Sequence, residues 1–120
     1  MTDTTPGGAT PQPRKNSRRE RRRDPRGSTK VRCFANALGL GRNVAVTLRN
    51  VSETGIQLIT AQPLPPQREL EVILEDVSGR LVKLPAEVVW SRELPDGTCL
   101  VGARFAKSMA YTDLLFFARD

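Results

Sequence analysis

From residue 30 nearly to the C-terminus, apolar and polar side chains take turns along the chain. A period of two marks strands with one buried face. Val31, Cys33 and Ala35 alternate with Arg32, Phe34 and Asn36, and GLGRN at 39–43 reads as a turn. Val44, Val46 and Leu48 are assigned to one face of a second strand, opposite Asn43, Ala45, Thr47 and Arg49. A third, short run is GIQLIT, 55–60. The loop AQPLPPQ carries three prolines, which exclude a central strand there. Leu70, Val72 and Leu74 then alternate with Glu69, Glu71 and Ile73, and a tight turn follows at Val77, Ser78 and Gly79. Val82, Leu84, Ala86, Val88 and Trp90 share one parity of a long run, 80–93, with an interruption or bulge expected near Pro85. Pro95, Asp96 and Gly97 signal a hairpin into the last strand, 98–105. Ser108 or Thr112 is the expected cap of a short helix whose apolar residues are Leu114, Leu115, Phe116 and Phe117. The pattern predicts an all-β fold of six antiparallel strands with one short C-terminal helix. Edge strands are protected when a sheet closes on itself, so a small β-barrel with the helix over one opening is the expected architecture.

What precedes the strands is different in kind. Residues 1–17 are rich in Thr, Pro, Gly and Gln and are read as a disordered tail. Residues 14–26 hold eight basic side chains against Glu20 and Asp24, a net of +6, whereas residues 27–120 hold eleven basic against ten acidic. The basic character of the whole chain, +6 at pH 7, therefore belongs to an arginine-rich arm, 18–28, and says little about the body. The domain is placed at 18–120, with the arm followed by the barrel at 29–106 and the helix at 108–118.

Composition then removes whole classes of chemistry. The chain has no histidine, so Ser-His-Asp and Cys-His catalysis and the usual zinc sites are excluded. Cys33 and Cys99 are read as reduced thiols. No stretch approaches a membrane span, and the N-terminus lacks the apolar core of a secretion signal, so a cytoplasmic protein without membrane insertion is expected. Gly39 and Gly41 lack the Lys-Ser/Thr of a triphosphate loop and are assigned to a hairpin. Glu69, Glu71, Glu75 and Asp76 are read as a solvated strand face and turn rather than a metal cluster. No catalytic residue, metal or cofactor is expected.

Two short motifs remain. NVSETG, 50–55, lies between two strands and offers the Asn50 amide, the Ser52 hydroxyl and Gly55, which permits positive φ or a close approach. Alone it reads as an Asx or Ser turn, its polar groups pointing outward at a strand end. Upstream, RRRDPR at 21–26 contains Arg22 and Arg26 four residues apart. Together with AEVVW at 86–90 and VGARF at 101–105, these stretches resemble the PilZ domain, a family of bacterial cyclic di-GMP receptors, over roughly residues 20–118. The family's signatures are RxxxR before the barrel and (D/N)xSxxG on it. Arg18 with Arg22 and Arg19 with Arg23 also fit the first spacing, but Arg22 with Arg26 lies nearest the first strand and follows Glu20 as in the family's ERRRxxR context.

The resemblance implies a six-stranded PilZ-type barrel and a second-messenger receptor in which Arg22 and Arg26 grip guanine edges and phosphate. Asn50, Ser52 and Gly55 would receive the other guanine. Guanidinium suits the task because its planar fork donates two parallel hydrogen bonds to phosphate oxygens or to guanine O6 and N7. Arg21 and Arg23 are secondary phosphate candidates, and an arginine at position 21 resembles members that take the ligand as a stacked dimer. Trp90 is assigned to the core, with stacking on a guanine as the alternative. Binding would order a disordered arm across the barrel mouth, and a protein partner would read the change. Asn50 stands where the family often has aspartate, keeping the acceptor without the charge. Two other readings are carried: a PilZ-like adaptor that binds protein but no nucleotide, and a small-barrel nucleic-acid binder. Few aromatic platforms, one Trp and one Tyr, count against the last.

Overall fold

The computed structural model describes residues 21–35 and 41–119. The tail, Arg18, Arg19, Glu20 and the segment 36–40, which includes Gly39, lie outside the described residues. Six strands follow one another as β1 (Lys30–Phe34), β2 (Ala45–Val51), β3 (Gly55–Thr60), β4 (Glu69–Glu75), β5 (Leu81–Glu93) and β6 (Cys99–Phe105), and helix α1 (Tyr111–Phe117) ends the domain. They form one antiparallel sheet in the order β1-β4-β5-β6-β3-β2. The two end strands meet where Phe34 bridges Asn43, the Val44 amide donating to the Cys33 carbonyl at 2.8 Å, so the sheet curls into a nearly closed barrel.

Alternation positions the core as expected along β4, where Leu70, Val72 and Leu74 are fully buried, and along the first part of β5 through Leu84, Ala86 and Val88. Phe117 and Leu114 of α1, both fully buried, plug the open end. The helix starts behind Ala110 with no side-chain cap, so neither Ser108 nor Thr112 plays that part. Asp76 and Asp96 hold the β4–β5 and β5–β6 turns by accepting from Ser78 and Arg80 and from Thr98.

Two expectations are corrected by the register of β2 and β5. In β2, Ala45 and Thr47 pair with consecutive residues of β3, as do Leu48 and Asn50, leaving Val46 and Arg49 as extra residues. Each bulge inserts one residue and shifts the side-chain parity. Val46 is therefore 54% exposed instead of sharing a face with Val44 and Leu48, and the buried set becomes Val44, Leu48 and Val51. In β5 the strand runs unbroken through Pro85, which pairs with Glu71. The Pro85 carbonyl accepts from the Ala106 amide just past the end of β6. Since N and C=O of a strand residue point the same way, the missing N–H faces a position where no ladder partner is needed. The bulge lies at Val89 instead, between Val88 and Trp90.

The arm is also corrected, from Arg21 onward. Arg23 exchanges backbone hydrogen bonds with Val51 at 2.9 and 3.1 Å, and Pro25 bridges Ala118. The Arg26 amide and the Thr29 hydroxyl both donate to the Phe117 carbonyl, each at 2.9 Å, while the Arg119 amide donates to Asp24. This part of the arm is a strap docked between the end of β2 and the end of α1, because its backbone groups find main-chain partners on both sides.

Both cysteines are buried free thiols. Burial pushes the Cys33 thiol up to about 12 from 9.0. A raised folded-state value favours the neutral thiol, so its contribution to stability is complete below pH 9 and is lost as pH climbs toward 12. Cys33 is accordingly expected to resist iodoacetamide at pH 8 in the folded chain and to react once denaturant is added, as peptide mass mapping of the alkylated protein would read. Labelling at equal rates in both states would contradict its placement.

Candidate ligand-binding site

The β2–β3 turn is built by Ser52. Its side chain is fully buried, and its Oγ accepts from the Thr54 and Gly55 amides, both at 3.2 Å, while the Ser52 amide donates to the Gly55 carbonyl at 2.9 Å. The hydroxyl is used inside the turn and does not point outward as expected, because the local amides reach it first. Its effect is to fix where Gly55 begins β3. A Cβ on Gly55 would lie 2.7 Å from the Ala103 carbonyl oxygen and 3.6 Å from an Nη of Arg22. Of the two reasons for a glycine here, close approach is the operative one: β6 backbone passes on one side and the Arg22 guanidinium stands on the other.

The Val89 bulge supplies the next part. By inserting one residue after Val88, it turns Trp90 to the outside of the barrel, where the ring is 37% exposed, and so overturns its assignment to the core. Trp90 pairs with Gly102 of β6, and the indole rests on that glycine: a Cβ there would be 2.4 Å from the ring. Gly102→Ala is therefore expected to unseat the indole, and because the chain has a single tryptophan its emission reports the change directly. An emission spectrum identical to that of the parent protein would count against this seat.

Arg22, Thr54, Gly55, Trp90, Gly102 and Arg104 surround a cleft of about 390 Å³ on the outer face of β3, β5 and β6. Two guanidinium groups and an exposed indole face it, and among the described residues no carboxylate lines it. Such a cleft suits an anionic ligand with a flat ring, which can stack on Trp90 while its charge is met by the arginines. Thr54, Gly102 and Arg104 were not singled out from the sequence. The alternation in VGARF marks Arg104 as outward, and the register places it opposite Gly55, but which strands neighbour one another is not readable from spacing.

The remaining candidates are dispersed. Asn50 is half-buried, its Nδ2 donating to Gln57 Oε1 at 3.2 Å, while its Oδ1 is buried without a hydrogen-bond partner. A buried acceptor left unpaired is costly and invites a donor from outside. Arg23 is 4% exposed and lies over the Tyr111 ring at 5.5 Å, a position that holds the strap rather than reaching for a phosphate. Arg21 is exposed, its carbonyl accepting from Arg23 Nη1 at 3.3 Å. Arg26 is not brought together with Arg22: its Nε donates to the Leu115 carbonyl at 2.9 Å, and its side chain borders a separate groove.

Comparison with curated proteins and with solved structures gives no match. The family model for the PilZ domain, however, matches residues 20–114, which take in the strap, the whole described barrel and the start of α1. With its six-stranded antiparallel barrel, the docked arginine strap and the NVSETG turn in that span, the chain belongs to the PilZ domain family.

Proposed function

We propose that this chain is a receptor for cyclic di-GMP, the ligand for which the PilZ family is known. The observation that carries the reading is the meeting of Arg22, Gly55, Arg104 and the outward-turned Trp90 around one cleft. One guanine would stack on Trp90 and take the Arg22 fork on its O6 and N7, and Arg104 would meet a phosphate. The buried Asn50 Oδ1 fits a guanine N–H donor, which makes asparagine adequate where aspartate is frequent. Ser52 acts as a positioning residue that sets the Gly55 turn.

Arg26 supplies the output. To reach the dinucleotide it must release the Leu115 carbonyl, loosening the last turn of α1 and the strap together. The signal would pass as this exchange of hydrogen bonds, read by a protein partner, with no chemistry done on the ligand. Among the described residues no helix is long and apolar enough to cross a membrane, and the proposed setting is the cytosol. The engagement of Arg26 with α1 is also what favours the second reading, an adaptor that has lost nucleotide binding. Isothermal titration with cyclic di-GMP, with GTP and cyclic di-AMP as competitors, decides between them: selective saturable binding supports the receptor, and heats equal to dilution reject it.

A further inference from the structure

β1 and β2 are the ends of the sheet order, and among the described residues they are joined only near Phe34 and Asn43. Asn43 is the clasp: its Oδ1 accepts from the Cys33 amide at 2.9 Å and from the Ala45 amide at 3.0 Å, and the Val44 amide donates to the Cys33 carbonyl. Below this clasp the two strands part, and a groove of about 800 Å³ opens between Lys30–Arg32 on one wall and residues 45–48 on the other. Cys33 turns both its N–H and its C=O across the seam, so by the two-residue repeat of an antiparallel ladder Val31 turns both of its main-chain groups into the groove. No ladder pairing to β2 is formed there. The bulge in β2 leaves Val46 54% exposed on the opposite wall. An open strand edge beside an exposed apolar side chain is the geometry that accepts an added strand.

Charge selects the occupant. Among the described residues Arg26, Lys30 and Arg32 border the groove against Glu75 alone, and Arg32 and Glu75 already meet at 3.5 Å, leaving two positive charges over. We infer that the β1–β2 seam is a docking slot for an extended acidic peptide segment of a partner protein, which pairs its backbone with Val31 and sets its carboxylates against Lys30 and Arg26. Its main-chain hydrogen bonds would give affinity, and alternate side chains, one apolar against Val46 and the next acidic toward the rim, would give selectivity. The slot lies apart from the Trp90 cleft and shares no lining residue with it; Arg26 is the one side chain both proposals use, and the pairing to Val31 beside Lys30 stands whether or not the chain binds a nucleotide.

The probe is the acetylated, amidated pentapeptide EVEVE, titrated into the full chain and followed by amide chemical shifts. Saturable changes at Val31, Val46 and Thr47 are expected, with at least a tenfold loss of affinity in Lys30→Glu and in a peptide N-methylated at alternate residues, which keeps its charge but loses one bonding edge. The KVKVK peptide should not bind, and Arg22→Ala should leave EVEVE binding unchanged. Because the N-methylated peptide tests the backbone pairing without altering the protein, a misfolded variant cannot mask the answer. Failure of EVEVE to saturate at millimolar concentration, equal binding of the N-methylated peptide, or shifts confined to Arg22, Gly55 and Trp90 would each overturn the inference.

Discussion

Arg22→Ala is expected to weaken cyclic di-GMP binding by roughly 10- to 100-fold, the worth of one bidentate guanidinium contact at about 1 to 3 kcal/mol. The side chain is exposed at the cleft and its removal opens no core cavity, so the melting temperature should barely change; surface substitutions of this kind stay within about 0.5 kcal/mol. Arg22→Lys keeps the charge but not the fork and should recover only a small part of the affinity. Arg26→Ala should behave differently. It removes a ligand contact and also the hydrogen bond to the Leu115 carbonyl, so lost affinity should come with a small loss of stability of about 1 kcal/mol or less. Calorimetry paired with thermal melts separates the two arginines. Equal affinity in Arg22→Ala and the parent protein would remove the basis for placing the ligand at the Trp90 cleft.

The second large effect concerns the plug. Phe117 is fully buried at the end of the barrel, and its carbonyl receives both the Arg26 amide and the Thr29 hydroxyl, so one residue fixes core, helix and strap at once. Phe117→Ala should cost about 3 to 5 kcal/mol, the usual range for emptying a buried aromatic site. Small domains have only about 5 to 15 kcal/mol in total, so a melting temperature lowered by well over 10 °C, or loss of the folded state, is anticipated. Its neighbour supplies the control. Phe116 is 40% exposed and lies under the Arg80 guanidinium at 4.6 Å, so Phe116→Ala should cost about 1 kcal/mol or less. Urea denaturation of both variants tests the assignment, and a Phe117→Ala variant no weaker than Phe116→Ala would contradict it.

The strand count was legible because stretches such as β4 keep a simple period against the core, through Leu70, Val72 and Leu74. Parity failed where the backbone carries an extra residue: at Val46 and Arg49 in β2, and at Val89 in β5. A bulge leaves no mark in composition, and Val89 looks like any other strand valine. Its consequence is large all the same, since it turns Trp90 from core to cleft. Pro85 misled in the opposite sense, because the proline rule depends on whether a neighbour needs the missing N–H, and that neighbour ends one residue away. The arm looked unstructured because arginines in a row read as solvated side chains, whereas apart from the buried Arg23 and the Arg26 bond to Leu115 what docks it is backbone, which a sequence of side chains does not display. Ser52 and Gly55 were found by their motif, but their roles, turn-building and clearance for Arg22, became visible only with the turn and β6 side by side. Arg104 and Gly102 were missed because their value lies in register across three strands.

One titration tests the receptor reading most directly: cyclic di-GMP added to the full chain while Trp90 emission and heat are recorded together, repeated on Arg22→Ala. The account predicts saturable heat accompanied by a change in Trp90 emission with the same midpoint, both strongly weakened in the variant. Saturable binding that leaves the emission untouched and survives Arg22→Ala would contradict it, as would the absence of any binding by the parent protein.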